Sequence, residues 1–214
     1  MRVVIPYTDR DPKSRLAPVL SAAERRAFAR AMLGDVVEAV RSAGHDPELL
    51  LSEPIDFADA DVGVDDVPTT VDDRALTPAV DAVLGRLGEG VAEVGIVMAD
   101  LPLATPTALR RLTAVGGEVG IAPGRGGGTN ALVARAPSFS VDYHGASYRD
   151  HREAAAAAGL SVGVVDSMRL ATDVDEPADL AEVLLHGDGR AREWLVDAGV
   201  ELDTGGGRVA VRRE

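Results

Sequence analysis

Val94-Gly95-Ile96-Val97-Met98-Ala99-Asp100-Leu101-Pro102 is an almost wholly apolar run that ends on a carboxylate and a proline. Bounded by breakers in this way, it reads as a strand covered on both faces, the pattern of a central parallel strand, and Pro102 forbids further pairing. Open α/β sheets bind their ligands beyond the carboxyl ends of such strands. Asp100 therefore has two readings. It is a turn or helix-capping aspartate, or it anchors Mg²⁺, a hard cation satisfied by one or two carboxylates plus phosphate oxygens.

Outward from this strand the chain alternates strand and helix. Residues 2–6 are a short apolar strand, followed by the polar loop Tyr7 to Arg15. Ser21-Ala22-Ala23-Glu24 is a capping box opening a helix whose Phe28, Met32, Val36 and Val40 recur every four residues, with Leu33 and Val37 on the same face. Gly44 is its natural stop. Glu48–Leu51 reads as the second strand, and the acidic stretch 52–75 takes no assignment. Thr77-Pro78 and Thr105-Pro106 each supply a cap and a first-turn proline, for helices to about Leu87 and about Val115. Residues 119–122 and 131–134 read as strands around a glycine-rich turn. Ser147 caps an alanine-rich helix ending at Gly159, residues 161–165 form another strand, and Asp175-Glu176-Pro177 starts a helix through about Leu185.

This alternation predicts an α/β fold, a single-domain three-layer sandwich over residues 1–185. Its sheet is mostly parallel but mixed, with helices on both faces and an antiparallel element within 131–170. Residues 186–214 form a C-terminal extension, with a short helix around Trp194 and a hairpin across Gly205-Gly206-Gly207.

Composition narrows the function. The chain has 214 residues, is 46% hydrophobic and carries a net charge of −13, which excludes the basic footprint of a nucleic-acid binder and docking on anionic membrane. No stretch is long and apolar enough to span a bilayer, and the N-terminus lacks a signal-peptide core, so the cytoplasm is the expected location. With no cysteine, thiolate chemistry is excluded. Lys13 is the only lysine. An acidic, lysine-poor, arginine-based surface fits a protein of a salt-loving archaeon, where concentrated salt screens self-repulsion.

Four clusters can carry chemistry. Pro12-Lys13-Ser14-Arg15-Leu16 is either a pair of solvated cations or a triphosphate clamp, Lys13 as a point charge and Arg15 as a two-pronged donor. Asp100 is the second. In the third, Thr172-Asp173-Val174-Asp175-Glu176-Pro177, the two aspartates point the same way in extended backbone and so can join Asp100 on a metal, with helix capping as the alternative. The fourth, Pro123 to Leu132, is either a flexible hairpin turn or an anion-binding turn whose glycines expose backbone N–H groups, with Gly128, Thr129 and Asn130 at its end. His45 reads as a surface-turn residue. His144 and His151 are candidates to meet near the site, and His151 also reads as packing on its helix.

In order and spacing, these clusters resemble the small nucleotidyltransferases of the nucleotide-diphospho-sugar transferase, or glycosyltransferase-A-like, fold. More narrowly, they are similar to the 2-phospho-L-lactate guanylyltransferase family of deazaflavin coenzyme F-420 biosynthesis. The carriers are Pro12 to Pro18, Met98 to Pro102, Gly127 to Leu132, Tyr143 to Tyr148 with His151, and Asp173 to Pro177; the tail from His186 lies outside them. The resemblance implies Mg²⁺ on Asp100, Asp173 and Asp175, and catalysis by Lys13, Arg15 and Asp100. It implies nucleotide contacts from Lys13, Ser14, Arg15, Asp73 and Leu76, and acceptor contacts from Gly128, Thr129, Asn130, His144 and Ser147. His144 stands where the family pattern has glycine, and Asp73 to Thr77 departs from its guanine-reading loop.

The implied reaction joins GTP to a small phospho-carboxylic acid and releases pyrophosphate, with the product passed to a downstream deazaflavin transferase. A homodimer is the default assembly. The rival readings are the same reaction on phosphoenolpyruvate or 3-phosphoglycerate, a molybdopterin or sugar-phosphate nucleotidyltransferase, a metal-dependent glycosyltransferase, and a non-catalytic GTP-binding regulator.

Overall fold

The computed structural model describes residues 1–58, 62–207 and 209–213. In chain order they form β1 (Arg2–Tyr7), a 3₁₀ turn (Ser14–Leu16), α1 (Ala22–Ser42), β2 (Asp46–Leu51), β3 (Thr69–Val71), α2 (Leu76–Leu84), β4 (Val94–Val97), α3 (Pro106–Ala114) and β5 (Val119–Pro123). There follow β6 (Thr129–Ala134), α4 (Ser147–Ala157), β7 (Val162–Val164), α5 (Met168–Ala171), α6 (Pro177–His186), α7 (Arg190–Asp197), β8 (Val200–Asp203) and β9 (Ala210–Arg213).

The first seven strands make one sheet in the order β3-β2-β1-β4-β6-β5-β7. Pairing is parallel except at β6, which runs antiparallel to both β4 and β5. A short glycine turn joins β5 to β6, and so short a connection returns the chain antiparallel, whereas parallel neighbours need a crossover. The mixed sheet expected from residues 131–170 is present, and its antiparallel strand is β6.

Every residue of β4 is buried because both faces of the sheet are covered. On one side Val3, Ile5 and Val97 pack with Phe28, Met32 and Leu33 of α1, Leu109 of α3 and Leu180 of α6. On the other, Val4, Ile96 and Leu132 pack with Val80 and Val83 of α2 and Ala155 of α4. Along β1, Val3 and Ile5 face one core while Val4 faces the other, which is the two-residue period of a strand in a three-layer sandwich.

The capping box at Ser21 forms, with Glu24 N–H donating to Ser21 Oγ and Ser21 N–H to Glu24 Oε2. Thr105 caps α3 through Ala108 N–H at 3.2 Å. Several local expectations are corrected. The unassigned stretch 52–75 contains β3, a three-residue edge strand too short and too polar to show a period. Thr77 is inside α2 rather than at its cap, and its hydroxyl accepts from Tyr143 N–H at 2.9 Å. Ser147 is the first helical residue of α4, not its cap. His45 follows the turn at residues 43–44 as expected but is half-buried, both ring nitrogens covered without hydrogen-bond partners, and burial lowers its pKa.

The tail lies on α1. Trp194 of α7 packs on Phe28 with ring centroids 5.4 Å apart, Ala191 and Leu195 are fully buried, and Asp35 of α1 accepts from Arg190 and Ala191 N–H at the start of α7. β8 and β9 form the hairpin expected across the glycines, and Arg213 reaches back to Glu24 at 2.6 Å.

Candidate active site

Four parallel strands deliver their carboxyl ends to one edge of the sheet, and a cleft of about 700 Å³ opens there. Lys13, Ser14 and Arg15 line it from the loop after β1. Asp73 and Leu76 line it from the connection after β3, and Asp100 and Asp175 from the loops after β4 and before α6.

At its floor Lys13 Nζ donates to Asp100 Oδ2 at 2.5 Å and to Asp175 Oδ1 at 2.8 Å. Arg15 stands farther out, 67% exposed, with a guanidinium nitrogen 3.5 Å from Asp175 Oδ2. The backbone builds this junction, because Val174 N–H donates to the Asp100 carbonyl at 3.1 Å and so lays Asp173 to Asp175 beside the end of β4. Burial disfavours the Lys13 ammonium, but the Asp100 and Asp175 carboxylates outweigh it and leave its pKa raised. Asp173 lies to one side, accepting from Asn130 Nδ2 at 3.1 Å. Burial raises its pKa; the Asn130 bond opposes the rise and the neighbouring Asp100 charge adds to it.

Lys13 holds a left-handed backbone conformation, φ 54°, and Asp11 another at φ 40°. Each such conformation costs a non-glycine residue on the order of 1–3 kcal/mol and persists only where surroundings enforce it. Arg25 does so here. Its guanidinium, 9% exposed, donates to Pro12 O, Leu20 O and Asp11 Oδ1. The sequence reading missed Arg25. Its signal was present: three and seven residues before Phe28 and Met32, it is a cation on the apolar stripe of α1.

The Asp100, Asp173 and Asp175 carboxylates are hard oxygen donors of the kind a divalent cation takes, and Asp100 Oδ1 is buried with no hydrogen-bond partner. The residues thus fit such an ion in chemistry. Yet among the described residues no three acidic or histidine side chains converge as a ready metal cage, because the Lys13 ammonium lies between Asp100 and Asp175 while Asp173 turns to Asn130.

The glycine-rich turn is more occupied than its composition suggests. Gly124, Arg125, Gly127 and Thr129 all spend their N–H groups inside the protein, on Gly128 O, Ala171 O, Gly124 O and Ser147 Oγ. The expected row of free amides is therefore reduced. The β5–β6 register slips so that Ala122 pairs with Ala131 and Pro123 with Thr129, leaving Asn130 as an extra residue. Such a bulge re-aims the strand end: Asn130 reaches Leu170 O and Asp173, while Thr129 Oγ1 meets His151 Nδ1 at 2.9 Å.

Ser147, Thr129 and His151 make a buried neutral cluster beside this turn. His144 does not join it. Its side chain is 83% exposed and bonds to Asp142, whereas His151 is fully buried. The two histidines do not share a site.

The fold and the charged cleft define an α/β protein whose polar side chains gather at the carboxyl ends of its strands. Its fold is that of a nucleotidyl transferase from Methanothermobacter thermautotroptrophicus, at TM-score 0.62 and 17% identity over 86% of this chain and 96% of that one. It is also that of a Mycobacterium tuberculosis protein solved in complex with manganese, at TM-score 0.55 and 22% identity over 86% and 97%.

Residues 1–213 match the family described as guanylyl transferase CofC like, and the chain belongs to that family. Proteins named 2-phospho-L-lactate guanylyltransferase are similar to it throughout. That of Haloferax volcanii is 61% identical over 214 residues, covering 100% of this chain and 99% of its own. That of Halomicrobium mukohataei is 58% identical over 213 residues, covering 100% of both chains.

Proposed function

We propose that this chain joins GTP to 2-phospho-L-lactate, giving a lactyl-diphosphoguanosine and pyrophosphate in deazaflavin coenzyme F-420 biosynthesis. The near-full-length relatives bearing that name support the reaction. The observation that carries it in this molecule is the Lys13–Asp100–Asp175 junction at the floor of the strand-end cleft.

A phosphate oxygen of the acceptor attacks the α-phosphorus of GTP, and the bond from that phosphorus to the bridging oxygen breaks, releasing pyrophosphate. No general base is needed, since a phosphomonoester with a second pKa of about 6 is largely dianionic at neutral pH. That suits a cleft with no histidine among the described residues of its lining. Lys13 and Arg15 neutralise triphosphate charge and hold the α-phosphorus in line. Asp73 and Leu76, with the Asp72–Arg74 pair, border the nucleoside end. Thr129 and Ser147 hold the acceptor's carboxylate.

Asp100, Asp173 and Asp175 would hold a magnesium ion, which when bound supplies charge neutralisation and polarises phosphoryl oxygens. The lysine-poor, acidic composition and the haloarchaeal relatives support a working environment of high salt.

The test is pyrophosphate release at molar KCl with MgCl₂, crossing GTP and ATP against 2-phospho-L-lactate, phosphoenolpyruvate and 3-phosphoglycerate, with products checked by mass spectrometry. Release with GTP and 2-phospho-L-lactate, with the matching adduct, supports the reading. Release with another pair alone reassigns the substrate, and no release from folded protein rejects the reaction.

A further inference from the structure

His151 is fully buried, and its hydrogen bonds define a direction in the neutral cluster. Nδ1 lies 2.9 Å from Thr129 Oγ1, and Nε2 is buried with no partner. The ring packs edge-on against Tyr143 and Phe139, with centroids 4.9 and 6.1 Å away. Burial pushes its pKa down to about 4, so at neutral pH the imidazole carries one proton, on one nitrogen or the other.

The unpartnered nitrogen decides which. A buried N–H without an acceptor is rarer in proteins than an under-satisfied acceptor, so Nε2 is the bare nitrogen and Nδ1 carries the hydrogen. Nδ1–H then donates to Thr129 Oγ1, and the Thr129 hydroxyl hydrogen is left to donate elsewhere. Ser147 repeats the logic: its Oγ accepts from Thr129 N–H at 2.9 Å, which frees its own hydroxyl hydrogen. The backbone next to them leaves space at Gly128. A Cβ added at Gly128 would meet only Asn130 Oδ1 and Ser147 Oγ, both at 3.9 Å. An ionised carboxylate is an acceptor only, so two neighbouring hydroxyls that each keep a hydrogen to donate are matched to it.

We propose that His151 is a positioning residue which, by donating from Nδ1 to Thr129, makes the Thr129 hydroxyl a fixed donor to the carboxylate of the acceptor substrate. This rests on the reading of the acceptor as a phospho-carboxylic acid. His151 touches no reacting atom; it acts through Thr129.

Two measurements test it. The first is a two-bond ¹H–¹⁵N spectrum of the full chain labelled at histidine, with His151 assigned by comparison with the His151→Asn variant. A protonated Nδ1 and a bare Nε2 are expected, and the opposite tautomer overturns the proposal whatever the enzyme's substrate. The second is steady-state kinetics with GTP and 2-phospho-L-lactate. His151→Leu is expected to raise KM for the acceptor about tenfold, the cost of a weakened hydrogen bond to a charged group, with KM for GTP unchanged. His151→Asn, whose amide N–H takes the place of Nδ1–H, is expected to stay within about threefold of the parent even if the leucine variant fails to fold. Thr129→Val should match His151→Leu, and the double variant should add little to either. Equal rises in both KM values, or no rescue by asparagine, reject positioning in favour of a packing role. A parent enzyme inactive with this substrate pair defeats the assigned reaction instead and leaves the tautomer result standing.

Discussion

The charged cleft and the neutral cluster around Thr129 are built on opposite principles. Around Lys13, charge meets charge at the floor of an open cleft: an ammonium between two carboxylates, on a strained loop held by a buried arginine. Around Thr129, the groups are neutral, enclosed and joined by directional hydrogen bonds. Coulomb attraction falls slowly with distance and tolerates imprecise geometry, which suits a flexible triphosphate. A hydroxyl contributes only when its proton points the right way, which suits a small rigid acid. On the proposed reading, the charged end would supply rate and the neutral end selection.

The largest expected effect lies at the charged end. Asp100→Asn should lower kcat about a thousandfold or more while the melting temperature moves by only a few degrees, because the loss falls on transition-state charge rather than on packing. Stopped assays beside a thermal melt check both halves, and near-normal turnover would break the comparison outright. Lys13→Met should reduce kcat/KM for GTP about a hundredfold, and Lys13→Arg should recover little, since a planar fork cannot replace a point charge between two carboxylates. Full recovery by arginine would show that charge alone is enough there.

Arg25→Met sharpens the role of strain. Releasing the Asp11–Lys13 loop should raise KM for GTP about tenfold and lower the melting temperature, with acceptor KM unchanged. A change in acceptor KM alone would place Arg25 with the wrong half.

The smallest effect is expected at the neutral end, on stability. Burial holds His151 near pKa 4 against its ordinary 6.5, so between those values the unfolded chain binds a proton that the native state refuses. Unfolding free energy should therefore rise with pH across that window and lose the His151 contribution as pH falls through it. Urea titrations at several pH values should show a shallower slope for His151→Asn, and an unchanged slope would remove His151 from the account.

Much of the fold was legible because its signals are local. Strand β4 announced itself by an apolar run ended by Pro102, α1 by the Ser21–Glu24 box and a four-residue period, and α3 by Thr105-Pro106. Thr77-Pro78 has the same local pattern and is not a cap, because a tertiary partner, Tyr143 N–H, takes the hydroxyl. Strand β3 was illegible for the reverse reason: its pairing with β2 comes from the sheet, not from its own three residues. At the site, a lone lysine and a strand-end aspartate drew attention by type and place, while Arg25 and the Thr129–His151 bond did not.

By itself the sequence determined the order of most elements, the acidic and lysine-poor character, and the set of side chains available for chemistry, since these follow from propensity, periodicity and composition. Only the tertiary structure decided their partners. Lys13 meets Asp100 across 87 positions and Asp175 across 162. Asn130 and Thr129 turn to different neighbours through one extra residue in a ladder, and one buried histidine faces Thr129 while the other candidate faces solvent. The physical reason is that local propensity depends on near neighbours in the chain, whereas an ion pair or a hydrogen bond depends on sheet register and loop closure, which bring distant segments within 3 Å or leave them apart.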